Sequence, residues 1–299
     1  MFQGMGDPAR LIVGQSGDKQ TLENIRKELN LDKPKWQQFL YYLKDVSPVS
    51  VHTKEEIVAK QLQGIFIGGK YKLALKIPYF YKSYQTKKDT MGMIGDAFTG
   101  TLVLAITAML FACFFGILLG VLAAVKKGTW VDSATLFGSI SGISAPSFFM
   151  AILMAYVFGI VLHQYTGLPF TGSLMETDEV TGEKYLSLKN LILPAVTLGL
   201  RPMSIIVQLT RSSMLDVLQQ DYIRTAYAKG LSKTTIIFKH ALRNALNPVI
   251  TAVTGWFAEL LAGSFFIEYI FGWKGLGKLT VNALEKLDYP VVMGSVLFS

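Results

Sequence analysis

The sequence predicts an all-α membrane protein, and three observations carry that prediction. Of 299 residues, 51% are hydrophobic and only 17% charged, against about 25% charged in a soluble domain; the mean hydropathy is +0.38. Residues 97–125 and 133–162 hold no charge, and each stretch exceeds the roughly 20 residues a helix needs to cross a bilayer. Gly116-x-x-x-Gly120 and Gly138-x-x-x-Gly142 place small residues on one helix face, where membrane helices approach closely. In this setting the net charge of +8 fits basic cytoplasmic loops, not a nucleic-acid partner. The single cysteine, Cys113, excludes an internal disulfide and a thiolate zinc site.

Residues 1–96 are mixed and polar, and form the first region. "SGDKQTLENIRKELNL" reads as a helix capped by Ser16 or Asp18, with Leu22, Ile25 and Leu29 on one face. "DKPKWQQFLYYLK" predicts a second helix, with Pro34 early and Trp36, Phe39, Leu40 and Leu43 in register. The stretch 44–90 reads as loop or short elements. Residues 97–299 form the transmembrane region. Spans are expected over 97–125, 133–162, the stretch from Asn190 containing Arg201, and 246–270 containing Glu259. No signal peptide is visible at the start, and the closing run "VVMGSVLFS" is too short to cross, so the chain reads as a fragment.

Orientation follows from the short loops. Arg211, Arg224, Lys229, Lys233, Lys239 and Arg243 crowd the stretch 211–245, whereas 164–188 holds one lysine against four acids. The positive-inside bias therefore places 126–132 and 211–245 in the cytoplasm, and 164–188, 271–290 and 1–96 outside. Within the cytoplasmic loop, Met214, Leu215, Leu218 and Tyr222 recur at helical spacing. Gly230 suits the position past a helix end, and Ser232 can cap the next helix. Two short helices meeting at "AKGLS" make a knob shaped to dock into another protein; the alternative is a hairpin lying on anionic headgroups.

Three further features bear on function. "FGWKGLGKLT" sets Gly272, Gly277 and Lys278 as a phosphate-binding loop would, but Leu279 stands where the magnesium-binding hydroxyl belongs and Thr280 comes one place late. It reads as an external turn and short helix, with no nucleotide bound, and Glu268 just before it is expected at the outer interface. Arg201 and Glu259 are charges inside spans; such residues face a cavity or a partner. They either line a path for the solute or pair with each other. His52, His163 and His240 are scattered, and neither a nucleophile elbow nor a dinucleotide fingerprint occurs. No cofactor and no enzyme activity are expected.

"DYIRTAYAKGLS…HALRNALNPV" resembles the cytoplasmic loop of ABC-transporter permeases in its dipeptide/oligopeptide version. "GDPAR", "LNLDKPKWQQFLYYL", "ISAPSF", "LPAVTLG", "FGWKGLGKL" and "DYPVVMG" match that family in order over nearly the whole chain, apart from about 44–80, which looks like an insertion. Arg224 and Thr225 replace the Glu and first Ala of the broader family pattern, a variant typical of the peptide branch. The resemblance implies a type I importer permease fold with six membrane helices in the intact protein, the first and most of the last being absent from this chain. It also implies a second, different permease subunit, two ATPase subunits and an external solute-binding protein. Asp221, Tyr222, Arg224, Thr225, Ala226, Tyr227, Ala228, Lys229, Gly230, Leu231 and Ser232 would then couple to the ATPase, for import of peptides or, alternatively, of nickel or glutathione. The rivals are an ion-driven carrier, which would need repeated broken helices, and a membrane hydrolase, which would need a nucleophile and base.

Overall fold

The computed structural model describes residues 23, 26, 32–178 and 181–299. The helix expected over 16–29 lies outside the described residues except for Glu23 and Arg26, both helical. Two compact units result: residues 1–97 with 279–298, and residues 98–278 with Ser299.

In the first unit, α1 (Lys35–Val46) begins directly after Pro34, which cannot donate a backbone bond but is pre-set for a helix start. The stretch expected to be loop holds a three-stranded antiparallel sheet: β1 (Val49–Thr53), β2 (Gly64–Gly68) and β3 (Tyr71–Lys76), in the order β1-β3-β2. Between β1 and β2 lies α2 (Lys54–Ala59), opened by a capping box in which Thr53 and Glu56 satisfy each other's backbone donors. Asp45 ties α1 to α2, to β3 and to the chain just beyond β3. Its carboxylate receives Lys60 Nζ at 2.6 Å and the Tyr81 hydroxyl, and its carbonyl receives Lys76 Nζ and, at 3.1 Å, Tyr79 N. Asp288 likewise accepts from Ser83 Oγ and from Tyr84 N.

Helix α3 (Thr90–Val125) opens where Asp89 accepts from Gly92 N, seven residues before the uncharged run begins. At 36 residues it reaches about 54 Å, longer than the ~30 Å hydrocarbon core. The run 133–162 was expected to be one span, but the chain breaks it. Helices α4 (Trp130–Ser144) and α5 (Ser147–Val161) meet at 108°. Pro146 explains the break: it lacks an N–H, and its ring forces Ala145 into extended backbone at φ −80°, ψ 134°. A one-turn helix α6 (His163–Thr166) and a two-stranded hairpin, β4 (Met175–Thr177) with β5 (Lys184–Leu186), come next.

Helix α7 (Lys189–Leu218) continues through Pro194 and Pro202. After α8 (Asp221–Ala228), α9 (Lys233–Ala262) carries a π-helical stretch at Ile236–Ala241 and Pro248. Then come α10 (Phe265–Ile270), α11 (Leu276–Glu285) and α12 (Tyr289–Phe298). Three helices are long and apolar enough to cross a membrane, or four if the bent α4–α5 pair counts as one span, among the described residues.

The larger apolar core of the second unit, among the described residues, is drawn from α3, α5, α7, α9 and α10, including Leu104, Ala108, Leu198, Ile206, Val249 and Ile267. Its helices approach where glycine allows. A Cβ on Gly116 would lie 2.7 Å from Ile206 Cγ2, one on Gly120 2.6 Å from Thr210 Cβ, and one on Gly142 2.5 Å from Ser204 Oγ. The first glycine pair therefore marks the α3–α7 contact. In the second pair only Gly142 does so for α4–α7; beside Gly138 there is open space. Asp132 adds a polar tie, accepting Arg211 Nε at 2.6 Å and Nη2 at 2.8 Å. That paired geometry makes strong, directional bonds.

Candidate functional site

The corner between α7 and α9 is built as a firm projection. Helix α8 begins after Gln219–Gln220, so Met214, Leu215 and Leu218 belong to the end of α7 and only Tyr222 to the short helix. The second helix expected at the corner is the start of the membrane-length α9. Ile223 and Ala226 on the inner face of α8 are buried against Val121, Met214, Ile236 and Ile237. The outer face shows Tyr222, Tyr227 and Leu231, with Arg224 Nη1 at 3.2 Å from Asp221 Oδ1 in full exposure. Asn244 Nδ2 donates to the Tyr222 hydroxyl at 2.7 Å, linking α8 to α9. Gly230 turns the corner at φ +75°, the left-handed region that favours glycine, and Ser232 Oγ caps α9 by accepting from Thr235 N. Both sequence expectations for these two residues hold.

The residues expected inside the membrane come together. Arg201 Nη1 lies 4.0 Å from Glu259 Oε1, and the Arg201 guanidinium sits 5.5 Å from the centre of the Trp256 ring. Both side chains remain more than half exposed, at 54% and 58%. They open onto a cleft of about 80 Å³, lined also by Ala145, Ser147 and Thr197. The charges thus face each other and a cleft at once. The 108° bend at Pro146 is what brings Ala145 and Ser147 to the rim.

The functional-looking residue whose partners sequence reasoning did not foresee is Glu268. Expected at an interface, it is 0% exposed. Its Oε1 accepts from Ser264 Oγ at 2.6 Å and Thr101 Oγ1 at 2.7 Å; its Oε2 accepts from Gly277 N at 2.7 Å and Lys278 N at 3.2 Å. The latter two are first-turn amides of α11, so the carboxylate caps that helix and faces its positive end. A Cβ on Gly275 would fall 2.5 Å from Glu268 Cδ, and one on Gly277 2.9 Å from Oε2. Trp273 Nε1 donates to Gly100 O at 2.9 Å and Lys278 Nζ to Gly272 O at 2.8 Å, closing the loop. "FGWKGLGKLT" therefore does cradle an anion, but one supplied by the chain itself. The available signal was an acid flanked by apolar residues with two glycines seven and nine places on.

Three membrane-length helices and a bent apolar helix pair, among the described residues, fit a multi-pass membrane protein. Residues 116–299 match the family model for binding-protein-dependent transport system inner membrane components. The chain is 36% identical over 292 residues to the glutathione transport system permease protein GsiC of Escherichia coli strain K12, covering 98% of this chain and 81% of that one. The GsiC protein of Shigella flexneri serotype 5b is 35% identical over the same shares. A chain of an inward-facing MetNI methionine ABC transporter is similar at TM-score 0.49 and 18% identity, over 69% of this chain and 90% of that one. The chain belongs to the family of inner membrane components of binding-protein-dependent transport systems. It is an ABC importer permease subunit of the inner membrane, and its relatives are permeases, not enzymes. Membership implies ATPase subunits, a binding protein and a second permease.

Proposed function

We propose that this permease carries small peptides or peptide-like solutes such as glutathione, driven by ATP hydrolysis in partner subunits. Residues Asp221–Ser232 form the coupling element and face the cytoplasm, with residues 1–96 outside. The observation that carries this reading is the corner itself: α8 is anchored by Ile223 and Ala226 while Tyr222 and Tyr227 on its outer face remain exposed. A projection of that build transmits displacement of a docked motor directly into α7 and α9, the two helices on either side of it. Arg201 and Glu259 suit the ends of a zwitterionic solute, a carboxylate meeting the guanidinium and an ammonium meeting the carboxylate. Their 4.0 Å separation is a weak pairing that a solute can replace, and the half-open cleft keeps both within reach.

Reconstitution of the assembled transporter in proteoliposomes tests both parts. Gly230→Glu has open space around the new side chain, with nothing within 4 Å of the Cβ position, though the left-handed backbone costs about 1 kcal/mol. The expected outcome is normal assembly with loss of ATP-dependent uptake. Uptake at the wild-type rate would remove the corner from coupling. Glu259→Gln is expected to weaken uptake of a peptide with a free amino terminus more than that of its N-acetylated counterpart; equal effects would remove Glu259 from recognition.

A further inference from the structure

The three-stranded sheet turns its apolar side chains outward. Register pairs Val49 with Leu75 and Val51 with Leu73 across β1 and β3, and Ile65 with Leu75 and Ile67 with Leu73 across β2 and β3. These six residues and Tyr71 share one face and are 47–70% exposed. The opposite face holds the buried His52, Ala74 and Lys76. We infer that this aliphatic face is a permanent interface with the second permease subunit of the assembled importer.

Size and composition select the occupant. Seven large apolar side chains exposed to this degree form a patch on the order of several hundred Å², at or above the largest a monomer usually leaves uncovered. It approaches the roughly 800 Å² that each partner contributes to a stable interface. Interfaces that open and close are about as polar as ordinary surface, whereas permanent ones resemble a core cut in half. Apart from the Tyr71 hydroxyl, the seven residues offer no polar group. A binding protein that delivers and departs would return this face to water in every cycle; the second permease never departs.

The sheet edge argues against lipid as the cover. Ile77 N donates to Gln63 O at 3.0 Å, so the alternate residues Gly64, Phe66 and Gly68 turn their backbone groups away from β3. Among the described residues no strand pairs with that side. Lipid has no partners for such groups. Strand β2 also lacks the lysine, proline or bulge that guards an exposed edge. A protein segment that extends the sheet satisfies edge and face together.

The test uses the assembled transporter in nanodiscs on a Cys113→Ala background. Single cysteines replace Ile67, Leu73 and, as a control in the β2–β3 turn, Lys70. Nitroxides on the first two are expected to be shielded from both a water-soluble nickel complex and oxygen, with Lys70 open to nickel. A photo-crosslinker at Ile67 or Leu73 is expected to join this chain to the second permease. High nickel access, high oxygen access, or crosslinks to the binding protein or to residues 1–31 of the same chain would each overturn the inference. Because these side chains point outward, Ile65→Asp with Ile67→Asp leaves the inner face of the sheet intact. The double variant is expected to recover several-fold less of the second permease on purification, and undiminished recovery would also overturn it.

Discussion

Removing the Glu268 carboxylate is the sharpest test of how the 271–280 loop is held. In Glu268→Ala the Gly277 and Lys278 amides lose their acceptor inside a site that is fully buried. Each stranded donor costs about 1–3 kcal/mol, so the pair costs on the order of 4 kcal/mol. For a unit of this size 1 kcal/mol moves the melting temperature by about 2–4 °C, which puts the loss at on the order of 10 °C. Glu268→Gln behaves differently. Its carbonyl can still accept both amides while its NH2 turns to the Ser264 and Thr101 hydroxyls, so only the charge contribution goes, about 1–2 kcal/mol. Thr101 limits this rescue, because its Oγ1 already accepts from Leu276 N at 2.8 Å. The assay is thermal unfolding of the purified protein followed by the fluorescence of its four tryptophans, of which Trp273 is buried. It is paired with limited trypsin digestion at Lys274 and Lys278. The expected order is wild type, then Gln, then Ala, with cleavage at the two lysines rising in the same order. An alanine variant melting within about 2 °C of wild type, or one whose loop resists trypsin equally, would refute the carboxylate as the clasp.

Ile223→Ala removes the larger anchor of α8 and is expected to cost about 2–5 kcal/mol locally; hydrogen exchange in 221–228 should rise while α3 stays protected. Asp132→Ala strands the Arg211 guanidinium between α4 and α7 and is expected to destabilise by about 3–5 kcal/mol, whereas the double change Asp132→Leu with Arg211→Met should recover most of that in a melt. The first unit is expected to weaken in acid. Burial pushes the His52 imidazole below its ordinary value, with Lys44 adding to the effect. Burial alone would raise Glu56, but the Lys44 ammonium, the Thr53 amide and His52 together hold it below the carboxylate range. Both groups bind protons more readily unfolded than folded, so stability falls as pH drops below 6.5 for His52 and again below 4.5 for Glu56. Exchange of amides in 49–76 of the whole protein, corrected for intrinsic rate, should rise between about pH 7.5 and 5; pH-independent protection would remove His52 from the balance.

How much was readable differs from element to element. The long spans were, because an uncharged run has few ways to exist outside lipid, and the corner was, because Gly230 and Ser232 carry local capping chemistry. The break at Pro146 was readable in kind, since proline stops a helix, but its 108° was not: an angle is set by what α4 and α5 each pack on. The sheet over 49–76 was missed for a physical reason. Alternation is normally read with apolar residues inward, and here His52 and Lys76 are buried while Val51, Ile67 and Leu73 face out.

By itself the sequence determined the class of protein, the family and the chemistry of the corner, because hydropathy, capping and motif order act between neighbours along the chain. Tertiary structure alone decided that Arg201 meets Glu259 beside Trp256 across two helices. It alone decided that Glu268 reaches inward to Thr101, 167 residues earlier. A charge in an apolar stretch demands a partner, and which partner answers depends on how helices pack, which no local pattern records.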